Sequence, residues 1–265
     1  MLLKVKRLSN FFYIISLLMA IICVACEFKL RPNDGNNVPG QVVVQRYDRL
    51  ESRYLTTGDF SALQQMNIDY PHETRMLIED MLQLGEVNNP EINSKFLNFY
   101  QDTLLQAIIS EVEMQYADMS DINKSLEKSF NWLERSIAGI TRPLVYSQIG
   151  ALGQSIVICD GKIGISLDKY LGEDYPLYAQ FYEDGQRRSM NRKNIVPDCI
   201  VFYLLSIYPL DNFDSRTQQE KDTHMGRIMW VANKALGTPF FKSDYVRLAD
   251  NFMKRYPQTS ISEFL

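Results

Sequence analysis

Hydrophobic residues follow a helical period on both sides of a short central region of the chain. Between residues 94 and 116, apolar side chains recur every three or four positions, which predicts one long amphipathic helix. Residues 120–140 repeat this pattern. A β-branched run at residues 42–54 passes into charged and aromatic residues and predicts a short strand followed by a helix. Further helices are predicted at residues 74–84, 196–208, 215–236 and 243–256.

The central region has the pattern of strands instead. Residues 143–148, 155–159 and 162–167 form short β-branched or alternating runs, and Asp160-Gly161 between the last two predicts a hairpin. Helices on both sides of such a region predict an α+β fold, mostly helical with a small antiparallel sheet in the middle. Since no linker divides residues 43–265, we expect a single globular domain there.

The N-terminal segment predicts export. Lys4, Lys6 and Arg7 are followed by an uncharged apolar run from Phe11 to Val24. As a helix this run would be about 21 Å long, shorter than the hydrocarbon core of a bilayer at roughly 30 Å. It is therefore typical of a cleaved signal peptide, predicted at residues 1–25, rather than a membrane span. An uncleaved signal anchor is the alternative.

Small residues before Cys26 resemble the lipobox of bacterial lipoproteins, although Cys23 stands where leucine is usual. Cleavage before Cys26 would leave this cysteine as the acylated N-terminus. Stable anchoring takes two or more acyl chains, and bacterial lipoproteins carry two or three. Residues 26–42 are rich in Pro, Gly and Asn and predict a flexible tether. The first predicted partner is therefore the membrane, through the lipid anchor.

Charge excludes one class of partner. The formal net charge is −4, and loss of residues 1–25 would remove three basic residues and no acidic ones. A basic face is the usual requirement for nucleic-acid binding, so no nucleic-acid partner is predicted.

Catalytic motifs are missing from the sequence. The chain has two histidines, His72 and His224, and no His-Glu-x-x-His, Gly-x-Ser-x-Gly or phosphate-binding glycine loop. Cys159 and Cys199 are compatible with a disulfide or with packing as small apolar residues. Neither a metal site nor a cofactor is predicted.

Two groups of polar residues are further candidates for function. Asp168, Glu173 and Asp174 follow a strand and are compatible with calcium binding or acid/base chemistry, but a solvated loop is the preferred interpretation. Tyrosine and arginine, which are enriched in protein interfaces, crowd residues 170–193. The alternative there is that the rings lie at the rim of the core. The candidate partner surface consists of Tyr170, Tyr175, Tyr178, Tyr182, Arg187 and Arg188.

Two further stretches carry a family resemblance. Gly-Ile-Ser-Leu-Asp-Lys-Tyr-Leu-Gly at residues 164–172 and Ile-Val-Pro-Asp at residues 195–198 resemble the GldB-type gliding-motility lipoproteins of the Bacteroidetes. The resemblance implies a lipid-anchored protein of the cell envelope, in the outer membrane and facing the periplasm. It also implies an association with gliding motility or with the secretion machinery linked to it.

The same family is distantly similar to zincin metallopeptidases, which implies a degenerate zincin-like fold. In zincins a helix after the sheet carries His-Glu-x-x-His, but the counterpart here, residues 195–208, contains no His, no Glu and one carboxylate, Asp198. A zinc site needs about three protein ligands. The expected function is therefore a non-catalytic lipoprotein that acts by protein–protein interaction, with an envelope protein as its partner.

Two alternatives remain open. One is a metal-dependent hydrolase with a non-standard site built from Asp168, Asp198 and His224. The other is a small-ligand-binding lipoprotein, which would need a large apolar pocket.

Overall fold

The structure is a computed structural model that describes residues 42–265. Helices form the first half of it. The predicted signal peptide, Cys26 and the tether up to residue 41 lie outside the described residues. Gln45 forms a parallel bridge with Tyr146 and leads directly into the first helix. The helices are α1 (Tyr47–Thr57), α2 (Phe60–Asp69), α3 (Pro71–Arg75, continued by a π-helical turn, Met76–Met81), α4 (Ile92–Phe99), α5 (Thr103–Gln115) and α6 (Ser120–Ser136).

The prediction of one helix over residues 94–116 is wrong, because the chain breaks between α4 and α5. Asp102 caps α5 by accepting hydrogen bonds from the backbone N–H groups of Leu104 and Leu105. An aspartate that binds free amides in this way favours a new helix start. Tyr100 lies in the break and is fully buried. The apolar period continues through the break, so the sequence pattern does not reveal it.

The sheet contains β1 (Leu144–Gln148), β2 (Ile156–Cys159) and β3 (Lys162–Ser166). The hairpin between β2 and β3 is confirmed, and Asp160 and Gly161 at its turn both have positive φ. However, the strand order is β1-β3-β2 and β1 pairs with β3 in parallel, so the sheet is mixed rather than antiparallel throughout. Residues 149–155 carry the chain from β1 to β2, which lies at the other edge of the sheet. The hairpin then brings the chain back, so that β3 lies between β1 and β2.

Helices resume after the sheet, and the α+β class, mostly helical, is confirmed. Helix α9 packs against β2, β3, α6 and α10, and most of its side chains are buried. Among residues 42–265, no helix is both long enough and apolar enough to cross a membrane. The helices of this half are α7 (Tyr178–Phe181), α8 (Asp184–Arg187), α9 (Ile195–Ile207), α10 (Gln218–Leu236), α11 (Asp244–Arg255) and α12 (Ile261–Phe264).

Candidate functional site

Two buried carboxylates hold the loop that follows β1. Asp168 accepts hydrogen bonds from the backbone N–H groups of Gly150, at 2.8 Å, and Leu152, at 2.5 Å. Glu51 of α1 accepts one from the N–H of Ile149, at 2.8 Å. Both carboxylates are fully buried. The loop backbone is therefore fixed by side chains from two distant parts of the sequence.

The loop needs this support because its backbone is unfavourable by itself. Ala151 and Leu152 have φ values of 50° and 62°, a left-handed conformation that non-glycine residues rarely adopt. At Gly150 a Cβ atom would lie only 2.8 Å from the Oγ of Ser166, so the close approach requires glycine. The expectation of a solvated loop at Asp168 is wrong, since a short 3₁₀ turn (Leu167–Lys169) leaves its carboxylate buried under this loop.

Burial raises the pKa values of both carboxyl groups. Burial raises the pKa of Glu51 well above its usual value, and the nearby charges of Asp48 and Asp168 raise it further, against the hydrogen bond from Ile149. Burial also raises the pKa of Asp168, although its amide hydrogen bonds oppose the rise. Asp48, by contrast, is paired with Arg46 through two hydrogen bonds of 2.9 and 2.7 Å. Burial without a cationic partner among residues 42–265 therefore favours the neutral form of Glu51.

The two stretches that carry the family resemblance meet in space. Tyr170, from residues 164–172, donates a hydrogen bond of 2.8 Å to Asp198, from residues 195–198. Burial raises the pKa of Asp198 to about 6, and the bond from Tyr170 opposes this rise. The pair joins the segment after β3 to the first turn of α9.

The residues of the alternative hydrolase site do not come together. His224 donates from Nε2 to the backbone carbonyl of Tyr208, at 2.9 Å, and burial lowers its pKa. Asp168 and Asp198 are occupied by the partners described above. Within residues 42–265, no group of three His, Cys, Asp or Glu side chains is placed to hold a metal ion. The structure therefore assigns no metal site to Asp168, Asp198 and His224.

The two described cysteines are both free thiols. Cys199 is fully buried in α9, and burial raises its pKa well above the usual value. Cys159, at the end of β2, is half-buried. Cys199 therefore packs as a small apolar side chain, and no disulfide joins it to Cys159.

Two members of the predicted partner surface belong to the core. Tyr170 is 1% exposed and Tyr178 is completely buried, so neither ring is available to a partner. The hydroxyl of Tyr178 accepts a hydrogen bond from the N–H of Leu171 and donates one to the carbonyl of Asp168. A tyrosine with a satisfied hydroxyl can be buried at little cost, which is why aromatic density alone does not indicate a surface.

The other predicted members lie nearer to solvent. Tyr175, Tyr182 and Arg187 are half-buried, whereas Arg188 is exposed. Phe181, which the sequence analysis left out of the surface, is 54% exposed. We call residues Phe181, Tyr182, Asp184, Arg187 and Arg188 the α7–α8 face. Asp184 and Arg187 in it form an ion pair.

Hydrogen bonds made by side chains fix the segment that carries the α7–α8 face. The Tyr182 hydroxyl donates to the carbonyl of Leu152 at 2.6 Å, and the Tyr116 hydroxyl donates to the carbonyl of Tyr170 at 2.6 Å. Farther along, Arg192 pairs with Asp121 through two hydrogen bonds. The segment is thus pre-organised, although it contains only two helices of four residues each.

Comparison with known proteins agrees with the resemblance seen in the sequence. The chain matches the family model described as "Gliding motility protein GldB" over residues 29–242, which is most of its length. No curated protein and no solved structure matches it. The zincin-like resemblance stays a prediction. The matched span includes the carboxylate-held loop, the Tyr170–Asp198 pair and the α7–α8 face. Because the family model matches most of its length, the chain belongs to the GldB family of gliding-motility proteins.

Proposed function

We propose that this protein is a non-catalytic lipoprotein of the cell envelope that acts in gliding motility, or in secretion machinery linked to it, by binding another envelope protein. Acylated Cys26 anchors it to the outer membrane, with the domain facing the periplasm. The α7–α8 face is the contact surface. The observation that carries the proposal is the exposed ring of Phe181 on a segment fixed by the hydroxyl groups of buried Tyr178 and half-buried Tyr182.

The chemistry of this face suits a protein partner. Large aromatic side chains and arginine contribute most of the binding energy in many interfaces. Phe181 supplies an apolar anchor, and Arg188, seven residues later, supplies an exposed cation. Because the segment is already fixed, binding would cost little conformational entropy.

The buried carboxylates support a role without chemistry at this site. Asp168 and Glu51 are turned toward backbone amides rather than toward solvent. A catalytic acid or base must reach the proton that it transfers, and these two groups are shielded by the loop they hold. Their role in the proposal is to keep the loop and the neighbouring Tyr182 in place.

A double substitution tests the contact. We expect Phe181→Ser with Arg188→Glu to leave the fold intact, because both side chains are exposed, and to reduce the amount of partner recovered by at least about tenfold. The measurement is quantitative co-isolation of the lipoprotein after chemical cross-linking in the producing bacterium.

The matched control makes the same chemical changes elsewhere. Phe60, at 70% exposure, and Arg255 are also exposed but lie outside the face. Phe60→Ser with Arg255→Glu should leave recovery unchanged. An unaltered set of co-isolated proteins for the folded Phe181/Arg188 variant would contradict the proposed contact surface, as would an equal loss in the control.

A further inference from the structure

A concave surface formed by other elements lies between α10 and α11. The cleft has a volume of about 880 Å³ and is bounded by the second half of α10, the link at residues 237–243 and α11. Its size falls within the range of ligand-binding pockets, roughly 300–1,000 Å³. The family match ends at residue 242, before α11 begins, so one wall of the cleft lies outside the matched residues.

The charges in the cleft are unbalanced. Its two acidic side chains are already neutralised: Asp250 binds Lys254 at 2.6 Å and the indole N–H of Trp230 at 2.9 Å. Asp244 pairs with Arg247 at 2.8 Å. The lining contains four cationic side chains, Lys234, Lys242, Arg247 and Lys254, so cations exceed anions by two.

Lys242 is the cation most available to a ligand. It is exposed, and among residues 42–265 it has no ion-pair partner. The excess of positive charge occurs in a chain whose formal net charge is −4. A local field of the opposite sign attracts an acidic ligand and increases its rate of association.

The floor of the cleft is apolar and fixed. Trp230 and Val246 contribute buried side chains, and Phe241 is half-buried. Asn233 both donates to the carbonyl and accepts from the N–H of Phe241, at 2.9 Å each. This amide clamp holds the link against α10, so the cleft exists before any ligand arrives.

From these features we infer that the cleft binds an acidic peptide segment of a partner protein. Arg247 and Lys254 lie two helical turns apart, about 10.5 Å along α11, which matches about three residues of an extended chain. Carboxylates of the peptide would bind Lys242 and the flanking cations, and an apolar side chain between them would contact the floor. This site is separate from the α7–α8 face.

Peptide binding to the intact protein in detergent micelles tests the inference. The probe is a fluorescently labelled Glu-Asp-Phe-Asp-Glu peptide, compared with its uncharged counterpart Gln-Asn-Phe-Asn-Gln. We expect the acidic peptide to bind at least tenfold more tightly at low salt, and the preference to shrink at about 0.5 M salt because screening weakens exposed charge pairs. Lys242→Glu with Arg247→Glu should weaken binding of the acidic peptide at least tenfold.

The controls separate the cleft from bulk charge and from the α7–α8 face. Lys95 and Lys124 are exposed and lie outside the cleft, so Lys95→Glu with Lys124→Glu gives the same change in net charge and should leave binding unchanged. Phe181→Ser with Arg188→Glu should also leave it unchanged, which keeps this test independent of the proposed function. Equal binding of the two peptides, equal loss in the lysine control, or displacement of the peptide by an equal concentration of inorganic phosphate would overturn the inference.

Discussion

The Asp168→Ala variant is expected to lose about 3 kcal/mol of unfolding free energy, because it leaves one buried and one partly buried amide without an acceptor, and a buried one costs about 1–3 kcal/mol. These amides belong to Gly150 and Leu152, whose loop also contains left-handed backbone at Ala151 and Leu152. Relief of the desolvation of the carboxylate offsets part of the loss. Denaturant unfolding measures the change, and hydrogen exchange at the two amides locates it.

Asp174→Ala is the matched control, since Asp174 is exposed in the same segment. It should change the unfolding free energy by less than about 0.5 kcal/mol. Asp168→Asn retains one acceptor oxygen and should fall between the two. If Asp168→Ala were as stable as the control and its Gly150 amide remained protected from exchange, the carboxylate would not hold the loop.

The Glu51→Gln variant is expected to flatten the dependence of stability on pH. Burial raises the pKa of Glu51 above its ordinary value of 4.5, so the folded protein retains a proton that the unfolded chain releases. The unfolding free energy of the wild type should therefore fall as the pH rises from that value toward the raised pKa. Each pKa unit corresponds to about 1.4 kcal/mol. Glutamine does not titrate, so the gain of the variant over the wild type should increase with pH across this range.

The measurement is the unfolding free energy of both proteins at several pH values between about 5 and 8. Glu86→Gln provides the control, because Glu86 is exposed and the substitution makes the same chemical change. Its pH profile should parallel that of the wild type. A Glu51→Gln profile with the wild-type slope would show that Glu51 ionises in the folded protein as it does in the unfolded chain.

The helices with clear end signals could be predicted from the sequence. Thr217 and Glu220 form a capping box at the start of α10, and Gly237 ends it in a left-handed conformation. The break between α4 and α5 was missed because the apolar period does not change there. The place of β1 in the sheet was missed as well, because strand pairing between separate segments depends on tertiary contacts.

The two carboxylates of the site also differ in how far the sequence predicts them. Asp168 stood out in the sequence by its position after a strand, but its burial depends on a loop that passes over it. Glu51 did not stand out, although a signal exists: it lies four residues after Tyr47 and four before Leu55, on the apolar face of α1. An acidic residue on such a face predicts a buried carboxyl group with a specific partner.

Direct contact through the α7–α8 face is the central claim, and site-specific photo-cross-linking tests it most directly. A photoreactive phenylalanine at position 181 of the full-length protein should give one discrete cross-linked product with an envelope protein in living cells. The same residue at position 60, which is more exposed, should give none. If position 181 gave no product, or the same products as position 60, the claim that this face binds a partner would be contradicted.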